Sequence, residues 1–214
     1  SIPLFNIVMP VLLFLMLQYE SFHTIFSAPE SMSKRLKNCI SGRIPKVDAV
    51  RDLLSRINPD EIRSIHEEMI DIIKRNRVFR EGTIGGYVVA GLDGVELFSS
   101  TKKSCPNCLS RKKHTGETEY FYRSVVCMII GKSPHVILGQ EMLKPRDGSG
   151  KDEGELTGGK RLIEQLKKRH GHFADVIVAD ALYLNAPFIN TLKENGLEGC
   201  PYKLRVVRYH EQWE

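Results

Sequence analysis

Tyr87-Val88-Val89-Ala90-Gly91-Leu92-Asp93-Gly94-Val95-Glu96-Leu97-Phe98 is the stretch in which the hydrophobic period of the chain changes. Upstream, apolar residues recur every three or four positions. Here, after Gly85-Gly86, they run almost without interruption and include several β-branched residues, the pattern of a short buried strand. Asp93-Gly94 is a favoured hairpin dipeptide. The stretch therefore predicts two strands, Tyr87 to Leu92 and Val95 to Phe98, joined by a tight turn.

Outward toward the amino terminus, residues 1 to about 80 read as helical. Ile7 to Leu17 contains no polar residue, but a run of that length is normally a buried helix or strand rather than a membrane span, and Pro10 interrupts it. The nearest following basic residue is Lys34 and none precedes the run, which disfavours a signal peptide. After Pro45, the residues Val47, Val50, Leu53, Leu54 and Ile57 fall at helical spacing. Asn58 then suits an N-cap, with Pro59 in the first helical position and Asp60 and Glu61 in the first turn. Ile62, Ile65, Met69, Ile72 and Ile73 form the apolar stripe expected to face a core, and Lys74, Arg75 and Arg77 close the helix.

Toward the carboxyl terminus, further strands are predicted over Tyr120 to Ile130 and His135 to Leu143. A Gly-rich charged loop (147 to 154) follows, then a helix carrying Leu156, Ile163 and Leu166 to about Arg169. A buried strand, Val176 to Ala179, ends at Asp180, and Pro187 to Asn195 reads as the next helix. The order, helices first and then strands mixed with helices, indicates an α/β protein: a helical region over 1–80 and a core with a mixed sheet and flanking helices over 81–214.

The composition is that of a globular chain. It has 214 residues, 42% hydrophobic and 27% charged, with 31 Lys and Arg against 26 Asp and Glu, a net charge of +5. This mild excess is compatible with nucleic acid without identifying it. Five cysteines in no regular framework argue against a disulfide-stapled secreted fold and point to a reducing compartment, the cytoplasm.

Two acids carry the chemistry. Asp93 and Asp180 each follow a buried strand, and if those strands are neighbours the carboxylates meet at one edge of the sheet as hard oxygen ligands for divalent cations. Two-metal phosphoryl transfer requires such groups, because carboxylates both neutralise and position the ions. Taken singly, each aspartate is also explained as a turn or cap residue.

The surrounding stretches add a family likeness. GLDGVELFSS (91–100), TEYFYRSVVCMIIG (118–131) and DVIVADALYLNAPFIN (175–190) resemble, in order and spacing, the insertion-sequence transposases of the DDE type. The segments MPVLLFLMLQYESFHTIF (9–26) and KRLKNCISGRIPKVDAVRDLL (34–54) resemble their amino-terminal region. The likeness extends to about Cys200. It implies an RNase H-like core, DNA cleavage and strand transfer at insertion-sequence ends, and Mg²⁺ or Mn²⁺ held by Asp93 and Asp180. It also implies DNA partners, both transposon ends and target, and a homo-oligomeric complex. The family pattern includes a third acid, a glutamate on a later helix. Glu211 and Glu214 are the only acids after Glu198, so the expectation is a chain short of that helix and weak in transfer. The alternatives are an inactive DNA-binding or dimerising remnant, and an RNase H-like nuclease without a transposition role.

Three secondary signals remain. Cys105-Pro106-Asn107-Cys108 has the spacing of half a zinc site, with His114 and Cys127 as further candidate ligands for Zn²⁺; unliganded thiols and a redox pair are the other readings. Lys102, Lys103, Arg111, Lys112 and Lys113 surround this pair in what reads as a loop between strands, and are assigned to DNA phosphates or, equally, to a solvated surface. Gly158-Gly159-Lys160 fails the phosphate-loop template because Arg161 stands where Ser or Thr is needed, so no nucleotide cofactor is expected. His170 and His172 read as a surface pair at a helix end.

Overall fold

The computed structural model describes residues 3–16, 18, 45–81, 83–131, 133–145, 151–195 and 197. The chain divides into two compact units, 1–64 and 65–214. In the first, helix α1 (Leu4–Met16) packs against α2 (Val47–Arg56). Val50, Asn6 and Pro10 are buried there, but Leu12, Leu15 and Met16 are exposed. The apolar opening is thus helical without being buried throughout, since one packed neighbour covers only a stripe of a helix that is apolar all round. No described helix is long and apolar enough to cross a membrane. Residues 19–44, which include Lys34 and about half of the two amino-terminal stretches of the family likeness, lie outside the described residues.

Helix α3 (Pro59–Arg75) starts as its sequence predicts: the Asn58 side chain accepts a hydrogen bond from the Asp60 N–H at 3.0 Å. Its buried face differs from the expected one. Ile70 is 1% exposed and belongs to the core, with Ile73 packed beside it, whereas Ile62, Ile65, Met69 and Ile72 are all about half exposed. The unit holding the sheet begins at Ile65, inside this helix, and includes the short α4 (Val78–Glu81).

The expected hairpin at Asp93-Gly94 does not form. β1 runs unbroken over Val89–Ser100, because β3 (Thr118–Ile130) pairs with it antiparallel from Val89↔Ile130 through Asp93↔Val126 to Ser100↔Tyr120. A partner along the whole length supplies ladder hydrogen bonds that a turn would forfeit, and this outweighs the local turn preference of the dipeptide. The true hairpin turn lies at 113–117, where the Lys113 N–H bonds the Glu117 carbonyl. It joins β3 to β2 (Leu109–Lys112), a strand too short and polar to show in the sequence pattern.

Both β2 and β4 (Val136–Met142) pair with β3, so they share the edge that β1 leaves free. β5 (Val176–Ala179) lies on the far side of β1 and parallel to it. The sheet is therefore mixed, in the order β2 and β4, β3, β1, β5. The crossover from β4 to β5 carries α5 (Glu155–His170), and α6 (Ala186–Glu194) follows β5. Leu162, Ile163 and Leu166 of α5 and Phe188 and Leu192 of α6 form one core with Leu92, Val125, Cys127, Leu138 and Ile177 of the sheet. The α5 and α6 face is thus buried, which gives the glycine pair at the start of α5 a packing role: a Cβ on Gly159 would stand 2.9 Å from the Tyr183 ring.

Candidate active site

β1 and β5 pair in register, Leu92 beside Ala179. Asp93 and Asp180 are each the next residue along. Parallel neighbours lie about 4.8 Å apart and residues at matching positions share a face, so the two aspartates stand side by side. Leu92 and Ala179 are buried while Asp93 and Asp180 are exposed, as alternation on a one-sided sheet demands.

A backbone N–H holds each carboxylate by one oxygen. Asp93 Oδ1 accepts from the Gly94 N–H at 2.8 Å. Asp180 Oδ1 accepts from the Leu182 N–H at 2.9 Å and so caps the 3₁₀ turn η1 (Ala181–Tyr183). The cap role expected of Asp180 is therefore real, and it leaves the second oxygen of each aspartate without a protein partner among the described residues. No cation is paired with either acid among those residues.

Sequence reasoning missed a third acid close by. Glu155, in the first turn of α5, lies over Gly94: a Cβ there would meet its carboxylate at 2.3 to 2.5 Å. Any larger residue there would make that carboxylate shift. Arg123 on β3 donates to Glu155 at 2.9 Å and is also near Glu96, its register partner on β1. Because Gly94 and Asp93 face opposite sides of the strand, Glu155 and the aspartate pair flank β1 from its two sides. This accounts for a negative result: among the described residues no group of three or more His, Cys, Asp or Glu is gathered closely enough to hold a metal ion.

Tyr183 links the two sides electrostatically. Its ring is fully buried, edge-on to Phe188 at 5.1 Å, and its hydroxyl has no hydrogen-bond partner among the described residues. Burial raises its pKa, and the negative charges of Glu155, Asp93 and Asp180 raise it further. The hydroxyl therefore stays protonated within the field of three carboxylates. Hydrophobic periodicity singles out none of Glu155, Arg123 and Tyr183: Glu155 meets Arg123 across 32 residues, and Tyr183 feels Glu155 as well as its near neighbour Asp180.

No family model, curated protein or solved structure matches this chain.

The other predicted residues fall into two groups. Cys105 and Cys108 are brought together, Sγ to Sγ at 3.0 Å, but His114 sits in the hairpin turn beyond β2 and does not complete a three-ligand set with them. Cys127 is buried in the sheet, and loss of solvation pushes its thiol up to about 12. Among the basic residues, Arg111 and Lys112 lie on β2 rather than in a loop. Arg111 is committed to Glu96 at 2.8 Å and Glu119 at 2.7 Å, above the Phe121 ring, and Lys113 pairs with Glu119 at 2.9 Å. Those ion pairs hold the Glu119 carboxyl below its usual range and the Arg111 guanidinium above its own. Lys102, Lys103 and Lys112 carry no such partner among the described residues and are exposed. His170 is not on the surface: its ring is buried, and Nδ1 bonds Asp71 at 2.9 Å.

Proposed function

We propose that this chain is a DDE-type transposase, with an RNase H-like core that cleaves and transfers DNA strands at insertion-sequence ends using divalent cations held by Asp93 and Asp180. The observation that carries the reading is the parallel, in-register pairing of β1 with β5, whose last paired residues, Leu92 and Ala179, immediately precede the two exposed aspartates. The donor chemistry fits. Both are hard oxygen donors suited to Mg²⁺ or Mn²⁺, and each is pre-oriented by a backbone N–H, the kind of outer partner that ligating carboxylates use. Bound there, such ions activate the attacking oxygen and stabilise the leaving one. The chain's own part is to fix the carboxylates on a rigid strand and a capped turn, and to present Lys102, Lys103 and Lys112 to the phosphate backbone. The mixed sheet with its crossover helix α5 supports the RNase H-like assignment. A functional homo-oligomer and the zinc assignment for Cys105, Cys108 and His114 draw no support from the geometry.

A second reading is a DNA-binding or self-associating chain without strand transfer. It is favoured by the separation of Glu155 from the aspartates, so that among the described residues no third acid joins the pair. The test is Mn²⁺ titration of the wild type, Asp93→Ala and Asp180→Ala, run beside strand transfer on end-bearing DNA. Weak binding, reduced at least about tenfold in each variant, is expected, the scale on which even a missing orienting partner weakens a metal site. Equal affinity in all three proteins would refute the site. Metal binding without any transfer by the wild type would select the second reading.

A further inference from the structure

We propose that Cys105 and Cys108 form a thiol–disulfide exchange site, in which Cys105 attacks an external disulfide and Cys108 resolves the mixed disulfide. The geometry is that of a poised dithiol. The Cys108 N–H donates to the Cys105 carbonyl at 3.1 Å, closing a turn with Pro106 and Asn107 at its corners, and the turn brings the sulfurs to 3.0 Å. A disulfide needs about 2.05 Å, so closure requires a shift of about 1 Å and no rearrangement of the strands. The Cys105 N–H also points at the Cys108 sulfur, at 3.2 Å.

The two thiols are unequal in the way exchange requires. Cys105 is partly exposed and Cys108 is buried, so an incoming disulfide reaches Cys105 first. The phenol of Tyr122 lies 2.5 Å from the Cys105 sulfur. Hydrogen bonding to Cys105, together with burial, raises the tyrosine far above its usual range, so it remains the proton donor in that pair. Hydrogen bonds from Cys108 and then Tyr122 lower the Cys105 thiol, the direction that increases its thiolate fraction. Among the described residues no third His, Cys, Asp or Glu joins the two sulfurs. Cys127 supplies an internal contrast: it is fully buried, with its thiol pushed up to about 12.

The step balances with a disulfide of the glutathione class as oxidant. The Cys105 thiolate attacks one sulfur of R–S–S–R, forming a Cys105 mixed disulfide and expelling RS⁻. The Cys108 thiolate then attacks the Cys105 sulfur, forming the internal bond and expelling the second RS⁻. The protons from the two cysteines end on the two RSH released, so the chain loses two electrons and the external disulfide gains them. The site is independent of the aspartate pair, and neither result depends on the other.

The experiment incubates the full chain with oxidised glutathione, quenches by alkylation, and locates adducts by peptide mass spectrometry. The expected wild-type product is a Cys105–Cys108 disulfide with Cys127 still reduced. Cys108→Ser should accumulate glutathione on Cys105, and Cys105→Ser should slow modification of Cys108 at least tenfold. If Cys108→Ser fails to fold, the wild-type map alone locates the bond. The proposal is overturned if Cys105 reacts no faster than free cysteine, if no bond between 105 and 108 forms, or if the purified chain carries a metal on both sulfurs that must be chelated before either reacts.

Discussion

Gly94→Ala places a methyl group where the Glu155 carboxylate lies, and the consequence can be worked through. An added Cβ would stand 2.3 Å from the Glu155 Cδ and 2.5 Å from each of its oxygens, whereas unstrained carbon contacts begin at about 3.5 Å. The backbone at 94 is ordinary strand, so alanine fits it and the carboxylate must retreat by about 1 Å. That retreat breaks the ion pair with Arg123. A hydrogen bond between charged groups is worth about 1.5–3 kcal/mol, reduced here to about 1–2 kcal/mol because the Arg123 side chain is 36% exposed. Against this, alanine gains about 0.5–1 kcal/mol over glycine within a strand. The net loss is modest, about 0.5–1 kcal/mol.

The sharper quantity is the coupling. With Glu155→Ala as background the three atoms nearest the methyl group are gone, and Gly94→Ala should then stabilise by about 0.5–1 kcal/mol. The interaction between the two substitutions is therefore about 1–2 kcal/mol, well beyond the additivity error for independent sites. Urea denaturation followed by circular dichroism, on the four members of the cycle, measures it. Gly94→Ala having the same effect in both backgrounds, to within about 0.3 kcal/mol, would refute the packing of Glu155 over β1.

Three further outcomes follow from the charged groups. Arg161 reaches Glu141 and Glu153 at 2.6 Å each, and both carboxylates are nearly inaccessible; Arg161→Ala should cost about 3 kcal/mol by stranding them, read as a drop in Tm of about 6–12 °C, and a drop under about 2 °C would be incompatible with the network. The His170 hydrogen bond holds the Asp71 carboxyl below its usual 3.8, with Arg169 and Lys74 adding to the effect. A depressed acid stabilises the fold above its unfolded pKa and loses that contribution as pH falls through the folded value. The stabilisation should therefore fade below about pH 4, and Asp71→Asn should flatten that part of a stability profile; an unchanged acid limb counts against the pair. Finally, neutralising Lys102, Lys103 and Lys112 to Gln should lower the slope of log affinity for DNA against log salt by about 0.9 for each phosphate no longer neutralised. An unchanged slope removes them from the interface.

Much of the architecture was legible because most elements announce themselves locally. β3, β4, α5, β5 and α6 fall within two residues of their predicted bounds, since each is a run of one hydrophobic period closed by Gly, Pro or a cap. The failures are non-local. Asp93-Gly94 looks like a hairpin turn until β3 pairs across it. Of the stripe Ile62, Ile65, Met69, Ile72 and Ile73, which has the spacing of a core face, only Ile73 packs against the core, beside the buried Ile70, because the choice of face belongs to the neighbours the helix packs against. His170 reads as a surface histidine until Asp71, 99 residues earlier, is placed beside it. The aspartate pair was visible because both acids end or interrupt apolar runs, a local signal. Glu155 gave none beyond that of an ordinary acid at a helix start.

β1 therefore separates two electrostatic settings across a single peptide unit. On the helix-covered face, Glu155 is neutralised by Arg123 and kept against the strand by a glycine. On the open face, Asp93 and Asp180 stand beside one another with no cation paired to either among the described residues. Neighbouring like charges oppose the folded state unless something offsets them, and the chain has arginine within reach on the other side of the same strand. A sequence optimised only for folding would place that compensation at the aspartates as well, or would dispense with one acid. Local choices that work against stability concentrate where function requires them. The uncompensated pair, rather than the half-buried and neutralised Glu155, is accordingly where the proposed reading puts an external cation.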